Sequence, residues 1–200
     1  MDKKAQTIAT YDQNARAFAN KFDQAGARIE DIKKAFALVK KDSPSVLEIG
    51  CGTGRDAAEI IKLTDEYLGV DLSSELIAIA KERIPEASFE VADIENCDLP
   101  EDIDIIFAFA SLIHMDEEHF EDILVRAHSA LTPGGIFLIS LKLGPYHEFT
   151  RTDNFGVRTY YYYTPGDVAR LAGDNYEVIL VDHNNLRGQD WFEIILRKAK

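Results

Sequence analysis

The sequence predicts an α/β fold, a largely parallel sheet with helices on both faces. Three observations lead there. An apolar run at residues 45–49 reads as a buried strand, ends in Gly50-Cys51-Gly52-Thr53-Gly54, and feeds a helical pattern over 56–63. The alternation of strand and helix then repeats. Residues 66–71 precede a helix opened by Ser73, 103–108 precede a helix over 116–130, and 136–143 lie upstream of a helix capped by Thr164. Last, runs at 176–181 and 191–197 are joined by 184–190, the layout of an antiparallel hairpin.

Taken in order, residues 5–22 place Ile8, Tyr11, Ala15, Phe18 and Phe22 on one helical stripe. This helix either packs on the domain or covers a site at the sheet edge. Gln24-Ala25-Gly26 interrupts, and Ile29, Ile32, Phe36, Leu38 and Val39 mark a second helix. Asp42-Ser43-Pro44 is a turn cluster before the first strand. The glycine-rich turn after that strand presents backbone N–H groups at a helix start, where a ligand with an anionic group can sit. Glycine suits the turn because a Cβ would block the ligand and because such turns take positive φ. Arg55 is placed to pair with a ligand carboxylate, or with Glu48 or Asp56. Ser73 is an N-cap ahead of Leu76, Ile77 and Ala80, and Pro85 stops that helix. Residues 88–91 form the third strand, and 103–108 the fourth and central one.

Polar groups at the carboxyl ends of these strands carry the chemistry, since ligands of open α/β sheets bind there. Asp71 ends the second strand and suits the paired hydroxyls of a ribose. Asp93 follows the third strand and suits an adenine amino group with Ile94 packed on the ring, or else forms an Asx turn. Ser111 and His114 are the polar residues of the apolar run 109–115 after the fourth strand. His114 titrates near neutral pH, which fits either a general base or a structural histidine. In the helix that follows, Phe120, Ile123, Leu124 and Ala127 face inward. Residues 144–163 show neither period, yet carry His147, Arg151, Arg158 and Tyr160 to Tyr163. A long aperiodic segment in a compact domain points to a substrate pocket. The alternating tyrosines could also form a short strand, two facing the core and two the cleft. By that alternation Arg158, Tyr160 and Tyr162 are the pocket candidates, and arginines among tyrosines suit an acidic or aromatic acceptor.

The chain resembles the class I S-adenosylmethionine-dependent methyltransferases. The matching residues are Glu48-Ile49-Gly50-Cys51-Gly52-Thr53-Gly54, Gly69-Val70-Asp71-Leu72-Ser73, Ala92-Asp93-Ile94 and Leu131-Thr132-Pro133-Gly134-Gly135. The resemblance implies a Rossmann-like seven-stranded sheet in the order 3-2-1-4-5-7-6, the last strand antiparallel, in a single domain over residues 1–200. It implies S-adenosyl-L-methionine as cofactor and S-adenosyl-L-homocysteine as product. Gly50, Gly52 and Gly54 would pack on the methionine part, Glu48 would shape the loop beside it, and Asp71 and Asp93 would hold ribose and adenine. Cys51, Arg55, Leu72, Ile94 and Phe109 complete the expected cofactor set. Residues 1–40 would be a helical lid, because Tyr11-Asp12-Gln13-Asn14-Ala15 with Phe18-Ala19 is similar to the N-terminal signature of small-molecule methyltransferases. In that signature the tyrosine reaches cofactor or substrate. The expected acceptor residues are Tyr11, Ser111, His114, His147, Arg158, Tyr160 and Tyr162, with His114 the catalytic candidate.

The bounds agree with a small-molecule enzyme. Two hundred residues suffice for one core. The formal net charge of −13 opposes a phosphate-backbone partner, so nucleic acid is not expected. The chain's two cysteines give no disulfide framework or metal spacing, and Cys51 reads as a small filler of the glycine turn. His114 and His119, five apart, do not share a helix face, so no metal pair is expected. No leader and no apolar run long enough to span a bilayer is found, and a cytoplasmic protein with a small-molecule acceptor is the expectation; oligomeric state is left open. A nicotinamide fingerprint would want glycine at the sixth loop position, which Arg55 occupies. A non-catalytic cofactor-binding relative, and a methyltransferase acting on protein or RNA, are the alternatives.

Overall fold

The computed structural model describes residues 2–199. Its sheet has seven strands in the order β3-β2-β1-β4-β5-β9-β8. These are β1 Val46–Ile49, β2 Tyr67–Asp71, β3 Ser88–Val91, β4 Ile103–Phe109, β5 Leu131–Lys142, β8 Tyr176–Leu186 and β9 Gln189–Lys198. β1 to β5 pair in parallel, and β9 runs antiparallel to both β5 and β8. With its sixth and seventh strands at β8 and β9, the sheet has the expected order.

β4 is buried at every position and feeds both cores by alternation. Ile106 and Ala108 pack with Phe120, Ile123 and Leu124 of α6 (Glu117–Ala130) and Val168 of α7 (Pro165–Ala172). Ile105, Phe107 and Phe109 pack on the opposite face with Ile32 of α3 (Ile29–Leu38), Ile60 of α4 (Ala57–Ile60) and Ile77 of α5 (Ser74–Arg83). A strand covered on both faces is a continuous apolar run, which is how it reads in the sequence. The predicted caps form: the Ser73 side chain accepts from the Leu76 N–H, and Thr164 closes a capping box with Asp167.

Several local expectations are corrected. The N-terminal helix is two helices, α1 (Lys3–Gln13) and α2 (Ala15–Asp23), broken at Asn14. Asn14, at φ −124° and ψ 21°, lies outside helical geometry, and its side-chain amide donates to the carbonyls of Thr10 and Phe155. The helix after the glycine turn is only four residues long. The joint expected over 184–190 is mostly strand, with the turn confined to Arg187 and Gly188, both at positive φ.

Residues 144–163 are not an irregular loop. They form a second, two-stranded sheet, β6 (His147–Asp153) paired with β7 (Gly156–Tyr162). Most of β6 is exposed, so no burial alternation marks it in the sequence. β7 is held by α1. The Thr10 hydroxyl bonds the Val157 carbonyl and accepts its N–H, and Thr7 accepts from the Thr159 N–H. α1 and the β6–β7 hairpin thus make one roof over the carboxyl edge of β1, β2 and β4.

Candidate active site

Beneath that roof lies a cavity of about 1100 Å³. Its floor is the turn after β1, where Gly50 and Gly52 take φ of +76° and +55°. A Cβ on Gly50 would lie 2.2 Å from the Ser111 Cβ, so this glycine lets two chain segments meet. A Cβ on Gly52 would meet no protein atom within 4 Å. Gly52 therefore opens directly onto the cavity.

Asp71 stands beside this floor. One carboxylate oxygen accepts the Gly52 N–H at 2.9 Å and the other the Ser73 N–H at 2.9 Å. Each oxygen keeps acceptor capacity for a ligand hydroxyl. Burial raises this carboxyl against the pull of the two backbone donors. Leu72, Ala92 and Ile94 supply an apolar wall next to it.

Behind the floor is a buried charge cluster. Arg28 clamps Asp56 with its backbone N–H at 2.8 Å and its guanidinium at 3.1 Å, and lies 4.9 Å from the Phe109 ring centre. Arg55 also pairs with Asp56 rather than Glu48, and it lines the cavity. The Tyr67 hydroxyl donates to Glu48 at 2.6 Å, and burial together with the Asp56 charge holds the Glu48 carboxyl well above the usual range.

At the roof, the His114 Nδ1–H donates to the Thr159 carbonyl at 2.5 Å. That fixes the tautomer and leaves Nε2 to accept from the Tyr11 hydroxyl at 3.1 Å. Burial drives His114 down to about 4 and pushes the Tyr11 phenol up, so both are neutral at pH 7. The unfolded chain takes up the His114 proton below about 6.5 and the folded chain only below about 4. This contribution to stability is therefore intact above 6.5 and is lost as pH falls from 6.5 to 4. Its size is about 3 kcal/mol. Chemical denaturation across that window should show a steeper acid loss for the parent than for His114→Gln.

The cavity wall includes Tyr11, Glu48, Gly50, Cys51, Gly52, Arg55, Asp71, Leu72, Ile94, Phe109, Ser111, His114, Arg158 and Tyr160, all expected there. The Ser111 hydroxyl is spent on the Ile49 carbonyl at 2.6 Å. Four expected residues stand elsewhere. Gly54 faces Ile84, Phe89 and Ala80, a close-packing position in the core. The Asp93 carboxylate turns away to Lys4 of α1 at 2.7 Å and forms an Asx turn with the Glu95 N–H. His147 stacks on Tyr162, and the Tyr162 hydroxyl bonds Gln189; neither His147 nor Tyr162 lines the cavity. Sequence alone does not single out Arg28, Lys21, Lys142 and Trp191, which line the cavity, as does Arg187 of the β8–β9 turn.

Residues 46–135 match the family described as methyltransferase domain. That span contains the glycine turn, Asp71 and β4 in the order the cavity uses them. Residues 46–135 thus carry the sequence of a methyltransferase domain. A trans-aconitate 2-methyltransferase of Variovorax paradoxus is 33% identical over 117 residues, 55% of this chain and 44% of that protein. The chain spans about half the length of the curated relatives it matches. The chain as a whole also superposes on solved structures. One is an S-adenosylmethionine-dependent methyltransferase from Clostridium acetobutylicum, at a TM-score of 0.74, 14% identity, and 92% and 99% of the two chains. Another is the Burkholderia thailandensis 1,6-didemethyltoxoflavin-N1-methyltransferase, bound to 1,6-didemethyltoxoflavin and S-adenosylhomocysteine. Its TM-score is 0.71, at 19% identity over 96% and 88% of the two chains. At these identities the likeness establishes the fold of the methyltransferase domain. Among the described residues no cluster of metal-ligating side chains occurs, and no helix is long and apolar enough to cross a membrane.

Proposed function

We propose that the protein transfers a methyl group from S-adenosyl-L-methionine to a small-molecule acceptor held under the α1 and β6–β7 roof. The observation that carries this is the open space over Gly52 beside the Asp71 carboxylate, a cradle that a Cβ would fill and a nucleoside fits. Asp71 would hold the ribose hydroxyls, Leu72 and Ile94 would pack on the adenine, and Gly50 to Gly52 would border the methionine part. The cavity is larger than the roughly 300–1,000 Å³ of single-ligand sites, in keeping with a cofactor and an acceptor side by side. The room this leaves for an acceptor beside the cofactor favours an enzyme over a binding protein of the same fold.

Bound S-adenosyl-L-methionine supplies a methyl group already activated by its sulfonium. The chain's own work is then alignment and exclusion of water. α1 acts as a lid, latched by Lys4 to Asp93 and Glu95 and by Lys3 to Glu148. The latch ties Asp93 to the lid rather than to the adenine. His114 serves as a positioning residue: it is neutral, its Nε2 is engaged, and it sets the Tyr11 hydroxyl at the cavity wall. A weak base of this kind suits an acceptor that needs no deprotonation at pH 7.

The test is transfer of a labelled methyl group to a panel of small acids, phenols, amines and thiols, with trans-aconitate included because it names relatives of the chain. Acceptor-dependent product at a turnover of about 1 per second or slower supports the reading. No transfer to any small acceptor, with transfer to protein or RNA substrates, would overturn it.

A further inference from the structure

The far wall of the cavity carries a concentration of positive charge unlike the rest of the molecule. The chain as a whole has a formal charge of −13. Yet Lys21 of α2, Lys142 at the end of β5, Arg151 and Arg158 of the hairpin, and Arg187 of the β8–β9 turn all line this one wall. Arg151 and Arg158 face each other across the β6–β7 ladder, a like-charge pairing that destabilises a sheet unless something neutralises it. Asp153 alone does so, bonding both guanidinium groups. No ion pair reaches Lys21, Lys142 or Arg187 among the described residues.

Two of these cations are held with spare capacity. Arg158 is 3% exposed, and its Nε is a buried donor with no partner. A buried unsatisfied donor is costly and calls for an acceptor supplied from the cavity. The Lys142 ammonium lies 3.9 Å from the Tyr160 ring centre, 5.5 Å from Tyr162 and 5.9 Å from Trp191, with no carboxylate paired to it. Burial, with Arg151, Arg158 and Lys21 nearby, brings Lys142 down to about 8, so the charge is strained but present at pH 7. Evolution of a roof fit for a neutral acceptor would not need this arrangement, because each uncompensated cation costs folding energy. Rings of like charge in a low-dielectric cleft instead concentrate a ligand of the opposite sign.

We infer that Lys142, Arg151 and Arg158, backed by Lys21 and Arg187, form a subsite for the carboxylate groups of a small polycarboxylate acceptor. The planar guanidinium forks match planar carboxylates, and Lys142 supplies the point charge between them. The inference rests on the methyltransferase reading for the word acceptor, but the anion site stands on its own geometry.

The experiment is calorimetric titration of the protein saturated with S-adenosyl-L-homocysteine. The probes are tricarballylate, its neutral triamide and inorganic phosphate. Tricarballylate should bind and the triamide should not. Lys142→Met, which keeps the aromatic packing, should weaken tricarballylate about tenfold, and Lys142→Met with Arg151→Gln about a hundredfold. Affinity for S-adenosyl-L-homocysteine should stay within about twofold in both. Lys33→Met, an equal charge change on the exposed face of α3, should alter neither. No binding of tricarballylate, equal binding of the triamide, tighter binding of phosphate, or full affinity in the double variant would each overturn the inference. Tricarballylate binding without S-adenosyl-L-homocysteine binding would sink the methyltransferase reading and leave the anion site standing.

Discussion

Replacing Gly52 by alanine is expected to remove cofactor binding while leaving the fold nearly intact. The new Cβ meets no protein atom within 4 Å, so no packing is disturbed. Its backbone cost is that of an alanine at a φ of +55°, about 1–2 kcal/mol. The methyl group enters the space assigned to the cofactor, and the expected loss of S-adenosyl-L-homocysteine affinity is about a hundredfold or more. Gly50→Ala is the structural counterpart. There the Cβ meets the Ser111 Cβ at 2.2 Å, and Ser111 is pinned to the Ile49 carbonyl. Strain at a φ of +76° adds to the clash, and a loss of about 3 kcal/mol in urea denaturation is expected. If Gly52→Ala binds the ligand as the parent does, the open space over Gly52 is not the cofactor's place.

Asp71→Ala should show a second large effect, with two parts. The Gly52 and Ser73 N–H groups lose their acceptor, which is expected to lower stability by about 1–3 kcal/mol. Ser73 also caps α5 and donates to Asp12 of α1, so the edge of the roof loosens with it. Loss of charge-assisted bonds to the ribose should weaken the cofactor by a further one to two kcal/mol, about fivefold to thirtyfold. Calorimetry at a temperature where the variant is folded separates the two parts. Full affinity in a folded Asp71→Ala protein would remove Asp71 from the ribose.

What the sequence discloses is the local chemistry, and what it hides is assembled by the fold. The central parallel strands are legible because burial on both faces writes itself as apolar runs, clearest over Ile105 to Phe109 of β4. Gly50 and Gly52 are legible because their conformation forces their identity. Gly54 shares the pattern but serves core packing, so spacing alone cannot divide ligand glycines from packing glycines. Asp93 shows the same limit. Its position after β3 is right for an adenine, but Lys4, nearly ninety residues earlier in sequence, takes its carboxylate. The β7 tyrosines allow a strand, but its partner β6 escapes notice because it is mostly solvated and lacks the alternation that reveals a strand. The cationic wall escapes for a different reason. Lys21, Lys142, Arg158 and Arg187 sit on four separate elements, and only α1 packing on β7 and β9 pairing with β5 bring them to one wall. Arg28 is likewise remote from the glycine turn until its bond to Asp56 joins them.

Titration calorimetry of the parent protein with S-adenosyl-L-methionine, S-adenosyl-L-homocysteine and NADH goes most directly to the cofactor cradle. Binding of both adenosyl ligands at about micromolar affinity, with no heat from NADH, is the expected result. A folded protein that binds neither adenosyl ligand would contradict the cofactor assignment, and the roles given to Asp71 and the Gly50–Gly52 floor would fall with it.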